Sequence, residues 1–363
     1  MTTTDYLIIG SGLTGATIAR LLHERGEKVL VLDRRTHVGG NVHDHLHESG
    51  IRVHTYGPHY FRTSDERIWS FVNRFAQFYD YVASLKSWVD GRYENWPIAA
   101  SYIRKHIGEN WTPSFKGTPG NFEEAALSLM PELIYEKFIK GYNIKQWGVD
   151  PKELSATLVK RFDVREDDDP RLMPNHTYQG IPKDGYAVFM EKMLEGIPVQ
   201  LQCDYLQRRN EFTASKMVIY TGPIDEYFNY EFGKLKYRGQ QRVHEWIDNQ
   251  EWHQPCGQVN NPDLNQGPHI RTLEWKHMMQ PATSSKINGT LITKEITYTP
   301  ASPEDYEYPF PDQGNAELFK KYKAKAESIP GLLVCGRLGE YKYYDMDQAI
   351  GRAFMLFEKK IMQ

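Results

Sequence analysis

The first 33 residues combine short apolar runs with a helical pattern. Residues 6–9 and 28–32 are largely apolar, as in parallel strands that are buried on both faces. Residues 16–22, which lie between them, have the spacing of apolar positions that is typical of a helix. This order predicts a strand, a helix and a second strand that share one core.

The same pattern predicts elements along the rest of the chain. Residues 65–79 place their apolar positions on one helical face, and Asp65 is suited to cap that helix. Residues 122–140 predict a helix or a helix pair, with Pro131 in the first turn of the second segment, because proline cannot donate to a helix interior. Strands are predicted at residues 93–98, 199–202, 217–223, 269–275 and 291–296, and a lysine-rich helix at residues 316–328.

A glycine-rich loop joins the first predicted strand to the first predicted helix. Gly10 permits a tight turn, Gly12 lets the backbone approach a pyrophosphate, and Gly15 lets the helix pack closely on the strand. The helix N-terminus offers N–H groups to phosphates, and Asp33 ends the second strand where it can accept a ribose hydroxyl. Strand, glycines, helix, strand and acid in this order predict a dinucleotide site.

The residues after Asp33 favour FAD over NAD. Residues 34–41 resemble the continuation in flavoproteins of the glutathione-reductase type, in which a second glycine pair lies against the cofactor. Residues 332–337 resemble the late strand of that family, which returns to the flavin, and a helix that starts near residue 345 points its N-terminal dipole at the cofactor. The further cofactor-binding residues expected from this are Gly39, Gly40, Asn41, Arg337, Asp345 and Met346.

The predicted elements describe a mixed α/β protein of three domains. Because strands from both chain ends return to the nucleotide, the FAD-binding Rossmann-like domain is discontinuous, with a helical substrate domain and an antiparallel, sheet-based substrate region inserted into it. The expected boundaries are residues 1–79, 180–230 and 330–363 for the FAD-binding domain, 80–150 for the helical domain, and 151–180 and 231–329 for the sheet-based region.

Composition and charge exclude several other classes of protein. The 363 residues carry 44 Lys and Arg against 47 Asp and Glu, a net charge of −3, which gives no field that gathers nucleic acid. Cys203, Cys256 and Cys335 have no CxxC spacing, which argues against a disulfide framework and a zinc site. No window approaches the ~20 apolar residues of a membrane span, and no targeting segment is visible. We therefore expect a reduced, cytoplasmic protein without a metal site.

Six segments of the chain resemble one family, the prokaryotic UDP-galactopyranose mutases. They follow the family's order and extend over essentially the whole chain. The most specific are residues 138–148, which contain Gly-Tyr-Asn-Ile-Lys-Gln-Trp-Gly, and residues 336–346, which read Gly-Arg-Leu-Gly-Glu-Tyr-Lys-Tyr-Tyr-Asp-Met. The other matching segments are residues 38–41, 56–61, 178–182 and 219–225.

The resemblance implies flavin chemistry without net redox change. The family binds FAD non-covalently in its reduced form, and N5 of the flavin attacks the anomeric carbon of UDP-galactopyranose while UDP leaves. The flavin–sugar adduct opens, recloses as a five-membered ring and recaptures UDP, which yields UDP-galactofuranose for surface polysaccharide. The expected partners are a UDP-sugar and an electron donor that reduces FAD, and a homodimer is one expected assembly.

The resemblance also assigns the groups that act on substrate. Arg161 and Arg271 stand where the family has its diphosphate-binding pair, although a single arginine read alone is more often a surface residue. His59 stands where it approaches N5 or O4 of the flavin and helps to manage its proton, whereas its residue type alone is equally typical of a structural histidine.

Aromatic residues are expected around the nucleotide sugar. Phe138 and Tyr142 lie four residues apart, so one helical face can present both rings, a spacing that by itself favours core packing. Their position in the matching motif assigns them to uracil instead. The resemblance places Trp147 by the sugar or uridine, and it places at the diphosphate or sugar Tyr178, Tyr308 and Tyr343.

Arg62 departs from the family pattern. Most members have a second histidine at this position, whereas arginine is longer, permanently charged and unable to shuttle protons. An arginine here resembles members that also act on UDP-N-acetylgalactosamine. That sugar nucleotide and a dTDP-6-deoxyhexose are the alternative substrates, and a flavin amine oxidase or desaturase is the alternative enzyme. A loop near residues 165–180, which includes the acidic residues 166–169, is expected to close over the substrate.

Overall fold

The protein is mixed α/β, as the sequence predicts. The computed structural model describes residues 2–162 and 164–362, without the side chain of Arg161. Within these residues there are four β-sheets, of five, seven, three and two strands. No helix of the described chain is long and apolar enough to cross a membrane.

The five-stranded sheet is parallel and is assembled from distant parts of the chain. Strand Thr2–Ile9 lies at its centre and pairs with Val29–Leu32 on one side and Phe212–Tyr220 on the other. Helix Leu13–His23 connects the first two strands, which confirms the predicted Rossmann-like unit. In spatial order the strands are Val199–Gln200, Val29–Leu32, Thr2–Ile9, Phe212–Tyr220 and Leu332–Val334.

The carboxyl ends of four of these strands meet at one edge of the sheet. Ile9 lies opposite Leu32 and Tyr220, and Tyr220 lies opposite Val334. The chain therefore leaves the sheet at four neighbouring points. In open parallel sheets, this edge is where ligands bind.

The seven-stranded sheet is antiparallel except for one pair. Its long strands Tyr237–Asp248, Gly289–Tyr298 and His269–Glu274 lie where the sequence predicts a sheet-based region. The parallel pair joins Gln258–Asn260 to Leu85–Val89. In spatial order the strands are Tyr308–Pro309, Tyr237–Asp248, Gly289–Tyr298, His269–Glu274, Gln258–Asn260, Leu85–Val89 and Arg92–Trp96.

The last two strands of this sheet depart from the predicted boundaries. The hairpin formed by Leu85–Val89 and Arg92–Trp96 lies within residues 80–150, which the sequence assigns to a helical domain. Its first strand pairs with Gln258–Asn260, a partner far away in the sequence, and this pairing incorporates the hairpin into the sheet. Local patterning shows that a strand is present here but not which sheet it joins.

A helical layer with its own apolar core follows this hairpin. The core includes Ile103, Phe122, Ile134 and Phe138, all of which are buried. Pro131 is the N-cap directly before the second predicted segment, one position earlier than expected. The elements of this layer are the helices Ala100–Ile107, Phe122–Leu127, Glu132–Ile134 and Gly141–Trp147 and the π-helical segment Tyr135–Lys140.

The helix predicted at residues 65–79 is shorter in the structure. It spans Glu66–Asn73, and the Asp65 carboxylate caps it as predicted by accepting two backbone N–H groups of the first turn. Phe78, the last apolar position of the predicted helix, instead begins strand Phe78–Asp80, which pairs with Tyr178–Pro182. Pairing within a three-stranded sheet therefore outweighs the helical spacing of this segment.

The remaining elements connect these layers. The other strands are Asp44–Leu46, Arg52–His54 and Phe61–Thr63. The other helices are Tyr186–Met193, Ile224–Tyr227, Pro281–Ser284, Gln313–Glu327, Gly336–Gly339 and Met346–Leu356, followed by the π-helical segment Phe357–Ile361. The short 3-10 segments are Gly40–Val42, Pro151–Glu153, Ala156–Arg161, Arg209–Glu211, Trp275–Met278 and Pro303–Asp305.

Candidate active site

A cavity opens at the edge where the parallel strands end. It encloses about 1070 Å³ of empty space beside the glycine-rich loop and the start of the C-terminal helix. We call it the cofactor cavity, because a parallel open sheet binds nucleotides at this edge. The predicted cofactor-binding residues that line it are Gly10, Gly12, Gly15, Asp33, Gly39, Gly40, Asn41, Arg337 and Met346.

Close contacts require glycine at two positions of the loop. Gly10 has a φ of +105°, and a Cβ there would lie 2.0 Å from Oγ1 of Thr221, which donates a hydrogen bond to the Ile9 carbonyl. A Cβ on Gly15 would lie 2.1 Å from the carbonyl oxygen of Gly10. These contacts hold the loop tightly packed, and its three glycines meet the cavity without side chains, which lets a pyrophosphate approach the backbone.

The Asp33 carboxylate is held by the loop above it. Its Oδ2 accepts hydrogen bonds from the backbone N (2.7 Å) and the hydroxyl (2.6 Å) of Ser11, and its Oδ1 accepts one from the backbone N of Arg35 (2.9 Å). An ionised carboxylate has about four acceptor positions, so one position is left for a further donor. In this fold, a ribose hydroxyl is recognised at such a strand end.

Asp345 takes a different position from the one expected. It is the N-cap of helix Met346–Leu356, and its backbone N donates to Oε1 of Gln348 at 3.1 Å. Its carboxylate pairs with Nη2 of Arg62 at 3.0 Å. Because of this ion pair, Asp345 lines the neighbouring cavity, while Met346 brings the helix N-terminus to the cofactor cavity.

A second cavity adjoins the cofactor cavity. It encloses about 650 Å³ of empty space and shares Arg337 and Met346 with the cofactor cavity. We call it the central cavity. Its other lining residues are Tyr56, Pro58, His59, Tyr60, Arg62, Arg271, Tyr308, Tyr343, Asp345 and Asp347.

His59 lines the central cavity and carries a ring nitrogen without a partner in the described residues. Its backbone N donates to Nδ1 of His54 (2.9 Å), and its carbonyl accepts from the hydroxyl of Tyr186 (3.1 Å). Its own Nδ1 is buried without a partner in the described residues. Burial, followed by the charges of His54 and Arg337, lowers the pKa of His59 well below its usual value, so the imidazole is neutral at neutral pH.

Arg62 adds a second unsatisfied polar atom to this cavity. Its Nη2 is engaged by Asp345, but its Nε is buried and has no partner in the part of the chain that the structure describes. Buried polar atoms nearly always have hydrogen-bond partners. The unmatched atoms of His59 and Arg62, two residues that line the central cavity, make this cavity a candidate ligand site.

Arg271 lies between two cavities and is held by a buried carboxylate. Its Nε donates to Glu295, which is fully buried and also accepts from Nε of Arg242 at 2.9 Å. Burial opposes the ionisation of Glu295, but the two arginines outweigh it and keep the pKa of Glu295 below its usual value. Gly57 packs closely on this group, since a Cβ there would lie 2.8 Å from Oε1 of Glu295 and 3.3 Å from Nη2 of Arg271.

Two tyrosines and an arginine form a layered wall of the central cavity. The rings of Tyr308 and Tyr343 are nearly parallel, at 10°, with centroids 6.1 Å apart. The guanidinium of Arg337 lies 4.8 Å from the centroid of Tyr343, and its Nη2 donates to the carbonyl of Tyr344 at 3.0 Å. Arg337 lines the cofactor cavity as well, whereas Tyr308, Tyr343 and Arg271 line the central cavity without lining the cofactor cavity.

A third cavity continues from the central one. It encloses about 730 Å³ of empty space and shares Arg271 and Tyr308 with the central cavity. We call it the outer cavity. The predicted uracil-binding residues Phe138 and Tyr142 line it, as does Trp147. Its other lining residues are Trp96, Asn143, Gln146, Leu158, Phe162, Gln240, Gln258 and Asn260.

Phe138 and Tyr142 reach the outer cavity from different helical segments. Phe138 belongs to the π-helical segment Tyr135–Lys140, whereas Tyr142 belongs to helix Gly141–Trp147. Phe138 is only 2% exposed, and its ring packs edge-on against Tyr102 at 5.1 Å. It therefore packs in the helical core and also contributes to the cavity wall.

Tyr178 differs from its expected position at the sugar or diphosphate. It lies outside the lining of the three cavities, and its ring stacks on Trp69 at 5.1 Å and 8°. The ring is therefore engaged by Trp69 and not by the cavities. Arg161 ends the 3-10 segment Ala156–Arg161, and its side chain lies outside the described residues.

Sequence reasoning missed several polar residues of the outer cavity. Gln258 and Asn260 alternate along one strand, so both side chains point the same way, and Nε2 of Gln258 donates to Oδ1 of Asn260 at 2.9 Å. Two polar residues at this spacing in an otherwise buried strand are a signal that could have identified them. Gln146 lies inside the matching Lys-Gln-Trp-Gly motif, next to Trp147.

Fold and site together define the class of the protein. A parallel Rossmann-like sheet, a glycine-rich loop and a late strand that returns to the same edge are features of a dinucleotide-binding enzyme. Two further cavities with arginine and aromatic side chains extend from the dinucleotide site.

Comparison with known proteins identifies the family. A family model described as UDP-galactopyranose mutase matches residues 137–343, and one described as NAD(P)-binding Rossmann-like domain matches residues 8–75. A probable UDP-galactopyranose mutase from Klebsiella pneumoniae is 36% identical over 97% of this chain and 94% of its own length. A dTDP-fucopyranose mutase from Escherichia coli is 34% identical over 96% of each chain. The chain belongs to the UDP-galactopyranose mutase family.

Solved structures show the same fold. A crystal structure of reduced UDP-galactopyranose mutase has a TM-score of 0.76 at 16% identity and covers 97% of this chain and 93% of that one. A putative protoporphyrinogen oxidase from Exiguobacterium sp. 255-15 has a TM-score of 0.63 at 11% identity, with 99% and 98% covered. The family confirms the resemblance drawn from the motifs and the predicted enzyme class, an isomerase of the mutase type, and it implies a flavin cofactor.

Proposed function

We propose that this chain interconverts UDP-galactopyranose and UDP-galactofuranose with reduced FAD in the cofactor cavity, and so supplies furanose donors for surface polysaccharide. The row of three cavities is the observation that carries this proposal. The central cavity shares Arg337 and Met346 with the cofactor cavity, and it shares Arg271 and Tyr308 with the outer cavity. A UDP-sugar in this row has its sugar beside the flavin, its diphosphate near Arg271 and its uracil among aromatic rings.

The residues of the cofactor cavity suit FAD. The three glycines of the loop line the cavity without side chains, and Asp33 keeps an acceptor position at the expected ribose site. When bound, reduced FAD supplies the nucleophile, its N5 atom, for the anomeric carbon of the sugar. The protein's own tasks are then to hold the sugar in place and to neutralise the departing diphosphate.

Arg271 is the diphosphate-binding residue in this proposal. Its guanidinium lies where the central and outer cavities meet, and the bond from its Nε to buried Glu295 fixes its orientation. Burial opposes its charge, but Glu295 more than compensates, so the pKa of Arg271 lies well above its usual value. A fixed guanidinium suits the two oxygen atoms of a phosphate. Arg161 remains the proposed second arginine of this clamp.

His59 acts as a neutral hydrogen-bonding group in this proposal. Its lowered pKa excludes a standing positive charge beside the flavin at neutral pH. Its Nδ1, which lacks a protein partner in the described chain, is then available to a polar edge of the cofactor or to a sugar hydroxyl.

UDP-N-acetylgalactosamine is the second candidate substrate. The observation that favours it is the buried Nε of Arg62, a donor without a protein partner in the described residues, because Arg62 lines the central cavity. An acetamido carbonyl is a suitable acceptor for this donor. A dTDP-6-deoxyhexose is the third candidate, because the relative at 34% identity is named a dTDP-fucopyranose mutase.

A comparison of oxidised and reduced protein tests the proposal. FAD-loaded protein is incubated with each of the three nucleotide sugars, with and without dithionite, and the furanose product is separated by chromatography. We expect furanose from reduced protein alone. Absence of furanose from all three reduced reactions would reject the proposed function, and oxygen consumption with an amine would favour the amine oxidase alternative.

We also propose that residues 165–180 close over the substrate. In the structure, the Asp167 carbonyl accepts from the backbone N of Ala100 (2.9 Å), and Oδ1 of Asp168 accepts from the backbone N of Ser101 (2.8 Å). These two bonds join the loop to the start of helix Ala100–Ile107. Proteolysis of this loop that is unchanged by UDP would contradict the proposal.

The working environment and partners complete the proposal. The three cysteines are all free thiols, which suits the reducing cytoplasm. An electron donor has to reduce the flavin before turnover begins, and a homodimer is the proposed assembly. Sedimentation of FAD-loaded protein tests the assembly.

A further inference from the structure

Helix Gly141–Trp147 has two faces with different partners. Tyr142 and Gln146 lie four residues apart and line the outer cavity. Lys145 points to another side of the same helix and contacts the loop of residues 261–268. The helix therefore stands between the cavity and this loop.

The Lys145 ammonium group binds three backbone carbonyl groups. Its Nζ donates to Asn261 at 3.1 Å, to Asp263 at 2.6 Å and to His269 at 3.2 Å. An ammonium has three N–H donors, so these acceptors use all of them. Gly141, one turn earlier, brings the helix against the same loop, since a Cβ there would lie 2.0 Å from the carbonyl oxygen of Pro262.

The loop that Lys145 binds connects two strands of the opposite cavity wall. Strand Gln258–Asn260 precedes it and strand His269–Glu274 follows it. The second strand carries Arg271, and both strands contribute lining residues to the outer cavity. Lys145 therefore joins the helical wall, which carries Tyr142, to the sheet wall.

We propose that Lys145 is a positioning residue, whose bonds to the loop set the distance between the aromatic wall and Arg271 and thereby the affinity for the UDP moiety. This inference rests on the proposed function. Lys145 is absent from the lining of the outer cavity, so it acts through other residues and not by contact. Arg238 supports the same helix at its C-terminal end, where its Nε donates to the carbonyl of Gln146 at 2.8 Å.

The charge state of Lys145 gives this role a measurable signature. Burial lowers the pKa of Lys145 to about 8, and Asp263 opposes this only in part. The other titratable groups that face it are His269 and Lys294. The pKa of His269 is lowered to about 4 by burial and by the charges of the two lysines. Above about pH 8 the neutral amine has two N–H donors for three carbonyl groups, so the affinity for UDP should fall.

The stability of the fold depends on the charge of Lys145 in the opposite direction from the affinity for UDP. The folded pKa of Lys145 lies below its value in an unfolded chain, so its deprotonation above about pH 8 does not lower the free energy of unfolding. A decrease in UDP affinity in this range is therefore separable from loss of the fold.

Three variants of the FAD-loaded protein test the inference. Lys145→Met removes the three bonds, Lys145→Arg keeps a permanent charge, and Lys140→Met removes a more exposed lysine of the same region that pairs with Glu136 at 2.7 Å. Calorimetry measures the Kd of UDP, absorbance measures the bound flavin, and thermal scans measure stability. We expect Lys145→Met to weaken UDP binding about tenfold with unchanged flavin content, and Lys140→Met to leave the Kd within about twofold.

The pH profile is the second measurement. Between about pH 7 and about pH 9, the Kd of UDP should rise more in the wild type than in Lys145→Arg, because arginine stays charged. Any change in the protonation of UDP itself affects the wild type and Lys145→Arg equally, so it cancels in this comparison. Equal slopes, or a Kd of Lys145→Met within about twofold of the wild type, would overturn the inference. If Lys145→Met does not fold, the difference in pH profile between the wild type and Lys145→Arg decides whether Lys145 is a positioning residue. A wild type that binds no UDP would instead refute the proposed function itself.

Discussion

Arg62 and Asp345 form an ion pair at 3.0 Å, which joins strand Phe61–Thr63 to the N-cap of helix Met346–Leu356. The pair lies in the wall of the central cavity, next to the cofactor cavity. One end of the Arg62 guanidinium is thereby held by the protein. Its buried Nε, which has no partner within the described chain, is left for the ligand.

Arg62→Met should change the preference between sugars. We expect kcat/KM for UDP-N-acetylgalactosamine to fall about tenfold more than kcat/KM for UDP-galactose, because only the acetamido group loses a charged donor. Asp345→Asn is the control, since it removes the ion pair but keeps Arg62. Equal losses for both sugars in Arg62→Met would mean that Arg62 has a structural role and no part in specificity.

Gly15→Ala should remove FAD from the protein. The new Cβ would lie 2.1 Å from the Gly10 carbonyl oxygen, so the loop has to shift, and overpacking of this kind costs about 1–3 kcal/mol. We expect the flavin absorbance per protein to fall about tenfold or more. Gly314→Ala is the matched control, because a Cβ there meets only Oδ1 of Asp312, at 3.6 Å. Full flavin content in Gly15→Ala would contradict the assigned loop contact.

Acid should destabilise the protein through His54. Burial lowers the pKa of this fully enclosed histidine to about 4, and its Nδ1 accepts the backbone N–H of His59, a bond that a proton on Nδ1 would break. The unfolded chain takes up this proton near pH 6.5 and the folded chain only near pH 4, so stability is lost as the pH falls between these values, by about 3 kcal/mol in total.

His54→Asn isolates this contribution, because an amide oxygen can accept the same backbone N–H without titrating. Urea unfolding of both proteins at about pH 7 and about pH 4.5 gives the difference, which cancels the titration of other groups. The wild type should lose more stability than His54→Asn. Equal losses would show that the folded protein protonates His54 as readily as the unfolded chain does.

The N-terminal nucleotide-binding unit could be predicted because its signals are local. The buried strands read as apolar runs, and Gly15 is required by its contact with the Gly10 carbonyl, five residues earlier in the same loop. Asp65 was recognisable as a helix cap for the same reason, since the backbone N–H groups that its carboxylate accepts lie in the following turn. Each of these features depends on residues that are close together in the sequence.

Features that depend on distant partners could not be predicted in this way. The hairpin ending in Arg92–Trp96 joins the larger sheet through Gln258–Asn260, and Tyr178 is held by stacking on Trp69. The position of Asp345 follows from its pairing with Arg62, far away in the chain. Motif position identified these residues as important, but only their tertiary contacts decide which cavity each of them faces.

Arg271→Lys tests the diphosphate clamp. Lysine keeps a positive charge but loses the planar fork and the Nε–H that Glu295 accepts, so it cannot hold the same orientation. The expected result is a loss of kcat of about 100-fold with reduced FAD and UDP-galactose, because a charge that develops on the leaving diphosphate is no longer matched. Arg67→Lys is the control, since Arg67 is exposed and pairs with Glu358 at the surface. Full turnover in Arg271→Lys would mean that Arg271 does not stabilise the diphosphate, and full turnover in Arg161→Ala would mean the same for Arg161. If both variants retain full turnover, the central and outer cavities do not work as a nucleotide-sugar site in the proposed way.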